Sequence, residues 1–418
     1  MDNARARAIV SGMGQSIIIA GGGLNGSTLA LALAGAGFAV TLVDPLAPET
    51  RAAPEFDGRS YALSVGSRNL LRVLGVWPRL DDEAQPILDI KVGDGRAGEG
   101  PSPFVMEFDH TEIEEGPMGH MVEDRHLRPV LLDALSDDPG VTLMNGRRVV
   151  AQAPDAHGIE VTLDDGRRLR ADLLVGCDGR GSGTATRAGI RKVGWDYRQN
   201  ALVAAISHER PHDGVAHQFF MPEGPLAILP LRGNRASIVW TETRERARRL
   251  TDGDDAAYLD ALRPRFGDFL GDIALAGRRY TYPLALSLAT RFGTDRIALA
   301  GDAAHAVHPI AGQGLNAGLK DVASLAEVLA QAARRGEDVG RRDVLARYER
   351  WRRFDATSLA VATDGFNRLF SNDNPILRMG RDLGLGLVNA NATLRRGLIR
   401  EAAGLTGDRP KLLQGRPL

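Results

Sequence analysis

From residue 16 to residue 44 the chain reads SIIIAGGGLNGSTLALALAGAGFAVTLVD, and its apolar positions change rhythm twice. SIIIA is an unbroken apolar run, the pattern of a strand covered on both faces. Leu29, Ala30, Leu33 and Ala34 then recur at helical spacing, Gly37 stops the helix, and AVTLVD is a second buried strand closing on Asp44. Residues 161–179, VTLDDGRRLRADLLVGCDG, alternate about an Asp-Asp-Gly break, which predicts a hairpin, and then enter a buried strand ending at Asp178-Gly179. A third such strand end is Gly301-Asp302. It lies in ALAGDAAHAVHPIAGQGLNAGLKDVASL (residues 298–325), where a glycine- and histidine-bearing loop leads into a helix.

Past residue 190 the pattern changes. GWDYRQNALVAAISHE, VAHQFFMPEGPLAILPL and RASIVWTE alternate apolar and polar residues between Pro- and Gly-bearing turns, which predicts an antiparallel sheet. Residues 242–270 predict a helical pair with a solvated charged face, and residues 341–370 predict one or two long helices. The predicted fold class is α/β, α+β overall: a Rossmann-like three-layer domain, an inserted antiparallel-sheet domain and C-terminal helices. The first domain is assigned to 1–82, 111–190 and 288–340, the inserted domain to 83–110 and 191–287, and the helical region to 341–418.

Charge and composition exclude several classes. Lys+Arg number 52 against 53 Asp+Glu, a net charge of -1, so no global basic field points to nucleic acid. The single cysteine, Cys177, rules out a disulfide framework and is expected to be inert packing. No apolar run approaches the ~20 residues that span a bilayer. The N-terminus MDNARARAIVSGMGQS lacks the apolar core of a signal peptide, so a cytoplasmic location is expected.

Gly21, Gly23 and Gly26 form G-x-G-x-x-G between the first strand and its helix, with the acid Asp44 about 20 residues on, the dinucleotide fingerprint. Such glycines admit a pyrophosphate to the backbone, the helix start supplies positive potential, and the acid takes ribose hydroxyls. The fingerprint alone does not separate NAD from FAD. Two further Gly/Asp strand ends point to a longer ligand, because open α/β sheets hold ligands at the carboxyl ends of their strands. Asp302 suits a polyol chain. Gly312, Gln313, Gly314, Leu315 and Asn316 suit a flat heterocycle laid against backbone N–H groups at a helix start that favours negative charge. An isoalloxazine ring, and hence FAD, meets both requirements.

GGGLNGSTLALALAGAGFAVTLVD, GCDG and GDAAHAVHPIAGQGLNAGLKDVASL resemble the FAD-dependent aromatic hydroxylases of the p-hydroxybenzoate hydroxylase fold. HPIAGQGLN, FDGRSYALSVGSRNLLRVLGVW, EDRHLRPVLLDAL, QFFMPEGPLAILPL and TDGFNRLF extend the resemblance, over nearly the whole chain, to the UbiH/UbiF/VisC ubiquinone-biosynthesis hydroxylases. One motif departs. Where the family often carries DG-x-x-S-x-x-R, Ala185 holds the arginine position and Arg187 comes two residues later.

The resemblance implies tightly bound, non-covalent FAD, transient NAD(P)H, O2 as co-substrate and no metal. It adds Leu24, Asn25, Arg59, Arg125, Val149, Asp178, Gly179 and Pro309 to the cofactor residues already named. The reaction it implies is hydroxylation of a polyprenyl phenol through a flavin C4a-hydroperoxide, so catalysis is flavin-borne. His308 and Pro309 are the side chains offered beside it, and His305 is expected to hydrogen-bond its own loop. Phe219, Phe220, Pro222, Leu229 and Pro230 are expected to line an apolar substrate pocket. The basic tail from Ile376, carrying Arg378, Arg381, Arg395, Arg396, Arg400, Arg409, Lys411 and Arg416, is expected to touch the inner membrane peripherally or a quinone-pathway complex. Two alternatives stay open: a related FAD hydroxylase or reductase on another aromatic or isoprenoid substrate, and a non-catalytic FAD-binding subunit.

Overall fold

The computed structural model describes residues 14–51, 58–98, 100–101, 105–308, 312–370 and 391–418. Ser16–Ala20 is covered on both faces because it is a central strand, paired in parallel with Ala39–Asp44 on one side and Leu173–Gly176 on the other. Val141–Asn145 extends the sheet at one edge; Ile297–Leu299 and the short antiparallel Gly293–Thr294 complete the other. Ile17 and Ile19 point into a core shared with the Leu24–Gly35 and Gln313–Arg334 helices through Leu29, Leu33, Leu319 and Val322. The alternate residue Ile18 points the other way with Val43 and Leu174. It meets Val149, Ile159 and Val161 of a small sheet built from Val149–Asp155, Gly158–Leu163 and Arg168–Ala171. The hairpin at Asp-Asp-Gly is the second turn of that sheet.

The larger sheet pairs, in order, His305–Ala306, Tyr280–Ala289, Lys192–His208, Arg235–Thr243, Gly224–Leu231, Val215–Met221, Asp89–Arg96 and Gly100–Pro101; Ile273–Leu275 and Met106–Asp109 pair beside this path. It is mixed, because Val215–Met221 and Asp89–Arg96 run parallel. That neighbour arrives from a distant segment, so no hairpin forces reversal. Lys192–His208 bends at a register shift between Asp196 and Asn200, where Arg198 takes a left-handed φ of 58°.

The two faces of this sheet differ. On the back, Leu202, Ile206, Phe219, Leu226, Ile228 and Trp240 pack with Leu250, Tyr258, Leu262 and Phe266 of the Arg244–Asp252 and Asp255–Phe266 helices. On the front, Ala205, Ala216 and Leu231 meet Ile87, Met121 and Ala62 of a third sheet, Ser60–Ser64 with Gly119–Glu123 and Gln85–Ile87.

Residues 342–370 form one helix rather than two. Part of the basic tail docks on the body. Ile399, Ala403 and Leu405 bury against Val65, Ile113 and Met118, and Leu412 and Leu413 join the main core. Arg395 pairs with Glu112 at 2.7 Å and Arg400 with Glu115 at 2.9 Å. Arg378 and Arg381 lie outside the described residues. Among the described residues no helix is long and apolar enough to cross a membrane.

Candidate active site

The three Gly/Asp strand ends converge. Gly21 sits so close to the end of Leu173–Gly176 that an added Cβ would lie 2.4 Å from the Cys177 carbonyl oxygen, and a Cβ on Gly26 would lie 1.9 Å from the Gly21 carbonyl oxygen. Those two glycines serve the close approach of helix and strands. Gly23 differs: it is exposed, and a Cβ there would meet nothing within 4 Å. Asn25 reaches across to the third strand end, where its amide nitrogen occupies the space that a Cβ on Gly301 or Gly318 would need.

Asp44 is buried at the end of its strand and turns back on the glycine loop. Its Oδ2 accepts from Gly22 N at 2.6 Å and its Oδ1 from Leu46 N at 2.8 Å. Val149 packs beside Val43 in the same core cluster. Asp178 closes its own turn, accepting from Ser182 Oγ and from the backbone and hydroxyl of Thr184, both at 2.9 Å. Gly179 beside it has φ +80° and open space around it. Asp302 is half exposed and faces Arg180 Nε at 3.3 Å.

Both helices that aim at this convergence start without a side-chain cap or an acid in the first turn: Leu24–Gly35 after Gly23, and Gln313–Arg334 after Gly312, a left-handed residue at φ 63°. Their first N–H groups therefore remain available to an anion. Gly314 also faces open space. Leu24 and Leu315 share an apolar cavity with Leu63, Leu71, Leu127 and Leu319 beneath the two helix starts. Asn316 spends its amide on the Ser60–Ser64 strand and the helix that follows it: Oδ1 accepts from Ser64 N at 2.9 Å and from Ser67 Oγ at 2.7 Å, and Nδ2 donates to Ala62 O at 2.9 Å. Pro309 lies outside the described residues.

Arg59 and Arg125 are held by the adjacent acids Glu123 and Asp124. Arg59 approaches Asp124 at 3.1 Å, and Arg125 Nε donates to Glu123 Oε2 at 2.7 Å. Asp124 also accepts from Tyr61 OH at 2.8 Å and is flanked by Arg128 at 2.9 Å. Burial, reinforced by Asp124, drives the Tyr61 hydroxyl above its ordinary range.

The two histidines of the loop diverge. His305 bonds not its own loop but the helix: its Nε2 lies 2.6 Å from Asp321 Oδ2, which also accepts from Gly301 N at 2.9 Å, while Asp321 Oδ1 accepts from Arg352 Nε at 2.7 Å. The nearest carboxylate able to take the ring N–H lies one helix away, so the sequential reading was overturned by tertiary packing. His308 is 1% exposed and stands edge-on to Tyr197, with ring centres 5.2 Å apart. Neither of its nitrogens has a hydrogen-bond partner among the described residues. Burial pushes its pKa down to about 4, against a smaller opposing pull from Asp364. An unsatisfied buried polar group costs about 1–3 kcal/mol.

The five residues expected to line one pocket do not share a face. Phe219 is on the back, among the helix residues. Pro230 pairs directly with Ala236, itself a back-face residue. Leu229 is on the front with Ala205 and Ala62, and Phe220 packs separately with Met106, Val92 and Phe108. Pro222 sits in the turn between their strands. The cause is the period of two: neighbouring residues of a strand point to opposite faces.

Two residues the sequence reading missed, Asp321 and Arg352, hold the site together, and Asn316, expected there for its backbone, adds its side chain. Asp321 did leave a signal. It shares a helix face with Ala317 and Ser324, all buried, and an acid on an apolar stripe needs a partner.

With this geometry established, relatives identify its setting. Residues 15–362 match the FAD binding domain family. The ubiquinone hydroxylase UbiL of Rhodospirillum rubrum is 44% identical over 405 residues, covering 96% of this chain and 93% of that protein. The 3-demethoxyubiquinol 3-hydroxylase of Escherichia coli is 34% identical over 93% of this chain and 98% of its own. Among solved structures, p-nitrophenol 4-monooxygenase from Pseudomonas putida superposes with a TM-score of 0.78 over 94% of this chain and 98% of that one, at 20% identity, a likeness of fold.

Proposed function

Because this chain belongs to the FAD-binding family that includes the ubiquinone-biosynthesis hydroxylases, we propose that it hydroxylates the aromatic ring of a polyprenyl phenol intermediate. It is an FAD-dependent monooxygenase, an aromatic hydroxylase of ubiquinone synthesis. The observation that carries this is the meeting of three Gly/Asp strand ends with two uncapped helix starts.

The residues present fit FAD. The open positions at Gly23, Gly179 and Gly314 leave room for a ligand to lie on bare backbone. Gly21 to Gly26, with Leu24 and Asn25 opening the first helix, would hold the pyrophosphate. Asp44, steadied by Gly22 and Leu46, would take the ribose, with Val149 beside it. Arg59 and Arg125 would approach phosphate or ribitol from the Glu123–Asp124 side, and Asp178-Gly179 and Asp302 would border the polyol chain. Residues 312–316 would lie against the ring. FAD supplies the redox chemistry that couples NAD(P)H and O2 to ring hydroxylation.

The chain's own residues bind, orient and keep the site dry. The helix start at Gln313 stabilises negative charge placed against it. The parallel-sheet side is assigned to the cofactor and the large sheet to the substrate. On its front face Val203 and Val239, directly paired, and Leu229 are only half-buried, while their back-face neighbours Leu202, Trp240 and Ile228 are sealed. An apolar ring and prenyl chain lie naturally on such a surface. Leu394 and Leu398 remain exposed on the docked Ala392–Ala402 helix, which also carries exposed Arg396. We assign that surface to anionic lipid, from which the substrate would be drawn.

The test is a visible spectrum of the purified protein, then NAD(P)H oxidation with and without a short-chain prenylphenol. Flavin bands near about 450 nm, with oxidation stimulated by the phenol and a hydroxylated product, are expected of cofactor-borne chemistry. Flavin with neither stimulation nor product would refute the substrate assignment.

A further inference from the structure

His308 has no task in the architecture described above. Its ring is sealed from solvent, and both nitrogens lack a partner among the described residues. Tyr197, which meets its ring edge-on, and Val307, its neighbour in the chain, belong to one apolar cluster with Leu286, Ala360 and Leu359. Such a group is costly to bury unless something arrives to use it. Tyr197 on the Lys192–His208 strand and Asp364 on the Arg342–Phe370 helix are the titratable groups that bear on it. Neither donates to or accepts from its ring.

Position adds to the case. His308 follows the His305–Ala306 strand, six residues after Asp302 and four before Gly312 in the chain, so in sequence the idle ring stands between two cofactor turns. Its neighbour His305 shows the contrast, with Nε2 committed to Asp321. A neutral imidazole offers one N–H donor and one lone pair. A phenol entering an apolar pocket brings one O–H that must find an acceptor.

We propose that His308 accepts the hydrogen bond of the substrate's ring hydroxyl and so orients the ring for hydroxylation. The inference rests on the aromatic-hydroxylase reading and adds a residue to it. A hydrogen bond, not full proton transfer, is the contribution. Phenols ionise near about pH 10, and an imidazole held neutral by burial is too weak a base to remove that proton outright. Accepting the bond still enriches the ring in electrons, which favours attack by an electrophilic oxygen.

The experiment measures binding of a short-chain prenylphenol and of its methyl ether to the FAD-loaded protein, read as the perturbation of flavin absorbance. The wild type is expected to prefer the phenol by about tenfold, one hydrogen bond's worth. His308→Phe should retain FAD and bind phenol and ether alike. Its yield of hydroxylated product per NAD(P)H consumed should fall by at least about tenfold. His308→Gln, which restores an acceptor, should recover part of the preference. Where Phe is not accommodated, His308→Met fills the space flexibly. A His308→Phe or His308→Met protein that keeps the wild-type preference overturns the inference, as does a wild type that hydroxylates the phenol yet binds the ether equally well. A wild type that neither binds nor hydroxylates the phenol overturns the substrate reading itself, and this inference with it.

Discussion

His305 Nε2 lies 2.6 Å from Asp321 Oδ2, and both side chains are sealed from solvent. The same carboxylate oxygen accepts from Gly301 N, and the other is held by Arg352. One buried acid thus ties the Gly301-Asp302 turn to the Gln313–Arg334 helix and to the Arg342–Phe370 helix. The turn that presents Asp302 is only as firm as this knot.

Asp321→Asn should therefore be costly. Removing one member of a buried ion network typically destabilises by about 3–5 kcal/mol, and chemical denaturation checks it; a loss below about 1 kcal/mol would show the network to be idle. The acid limb of stability should change as well. Burial works to raise the Asp321 carboxyl, but His305 and Arg352 outweigh it and hold it below its ordinary range. A depressed carboxyl stabilises fully above its unfolded value near about 4, and that contribution vanishes as pH falls through the folded value. The asparagine variant should lack that loss.

Three histidines set a second pH dependence. Burial pushes His120, His217 and His308 down to about 4, Arg68 adding to the effect at His120 and Lys91 at His217. Their unfolded value is near about 6.5, so the unfolded chain binds protons that the native one refuses. Stability from these neutral rings is complete above about pH 6.5 and declines as pH falls toward the folded values. The urea midpoint should drop between about pH 7 and pH 5, and the three rings should show no NMR titration in that interval. A flat midpoint contradicts this.

Gly26→Ala and Gly23→Ala should fail differently. At Gly26 the new methyl would collide with the Gly21 carbonyl, so folding suffers by at least about 1–3 kcal/mol and thermal unfolding reports it. At Gly23 the methyl meets only open space. That variant should fold with a near-native melting temperature and lose most of its FAD, read as flavin absorbance per protein.

The two faces of the large sheet predict a second contrast. Phe219→Ala empties the back-face core and should destabilise by about 3–5 kcal/mol, with little change in KM for a prenylphenol. Leu229→Ala, on the half-buried front, should cost less stability and raise that KM. Equal effects on KM would refute the assignment of faces.

The cofactor loop was legible because its signals are local: glycine spacing, the switch of period between strand and helix, and one acid at a strand end. The face of each large-sheet strand was not, because both faces are covered. A run such as GPLAILPL loses the alternation that would mark inside from outside. Asp321 was half legible as an acid on an apolar stripe, yet nothing local announced Arg352 as its partner or Gln199 as the partner of Asn367 at 3.1 Å. Long-range polar pairs leave no periodic trace.

Ile297–Leu299 joins the parallel sheet beside Leu173–Gly176, with six of the large sheet's ten strands lying between them in the chain. On the ribosome, at about 5–20 residues per second, the first glycine loop emerges long before its opposite wall. The second helix start follows later still, and Leu412 and Leu413, which seal the same core, come after both. A stalled or prematurely ended chain therefore carries the dinucleotide fingerprint without a place to keep the ligand. A chain truncated before Leu412 is therefore expected to hold less flavin than the full chain, read as flavin absorbance per protein.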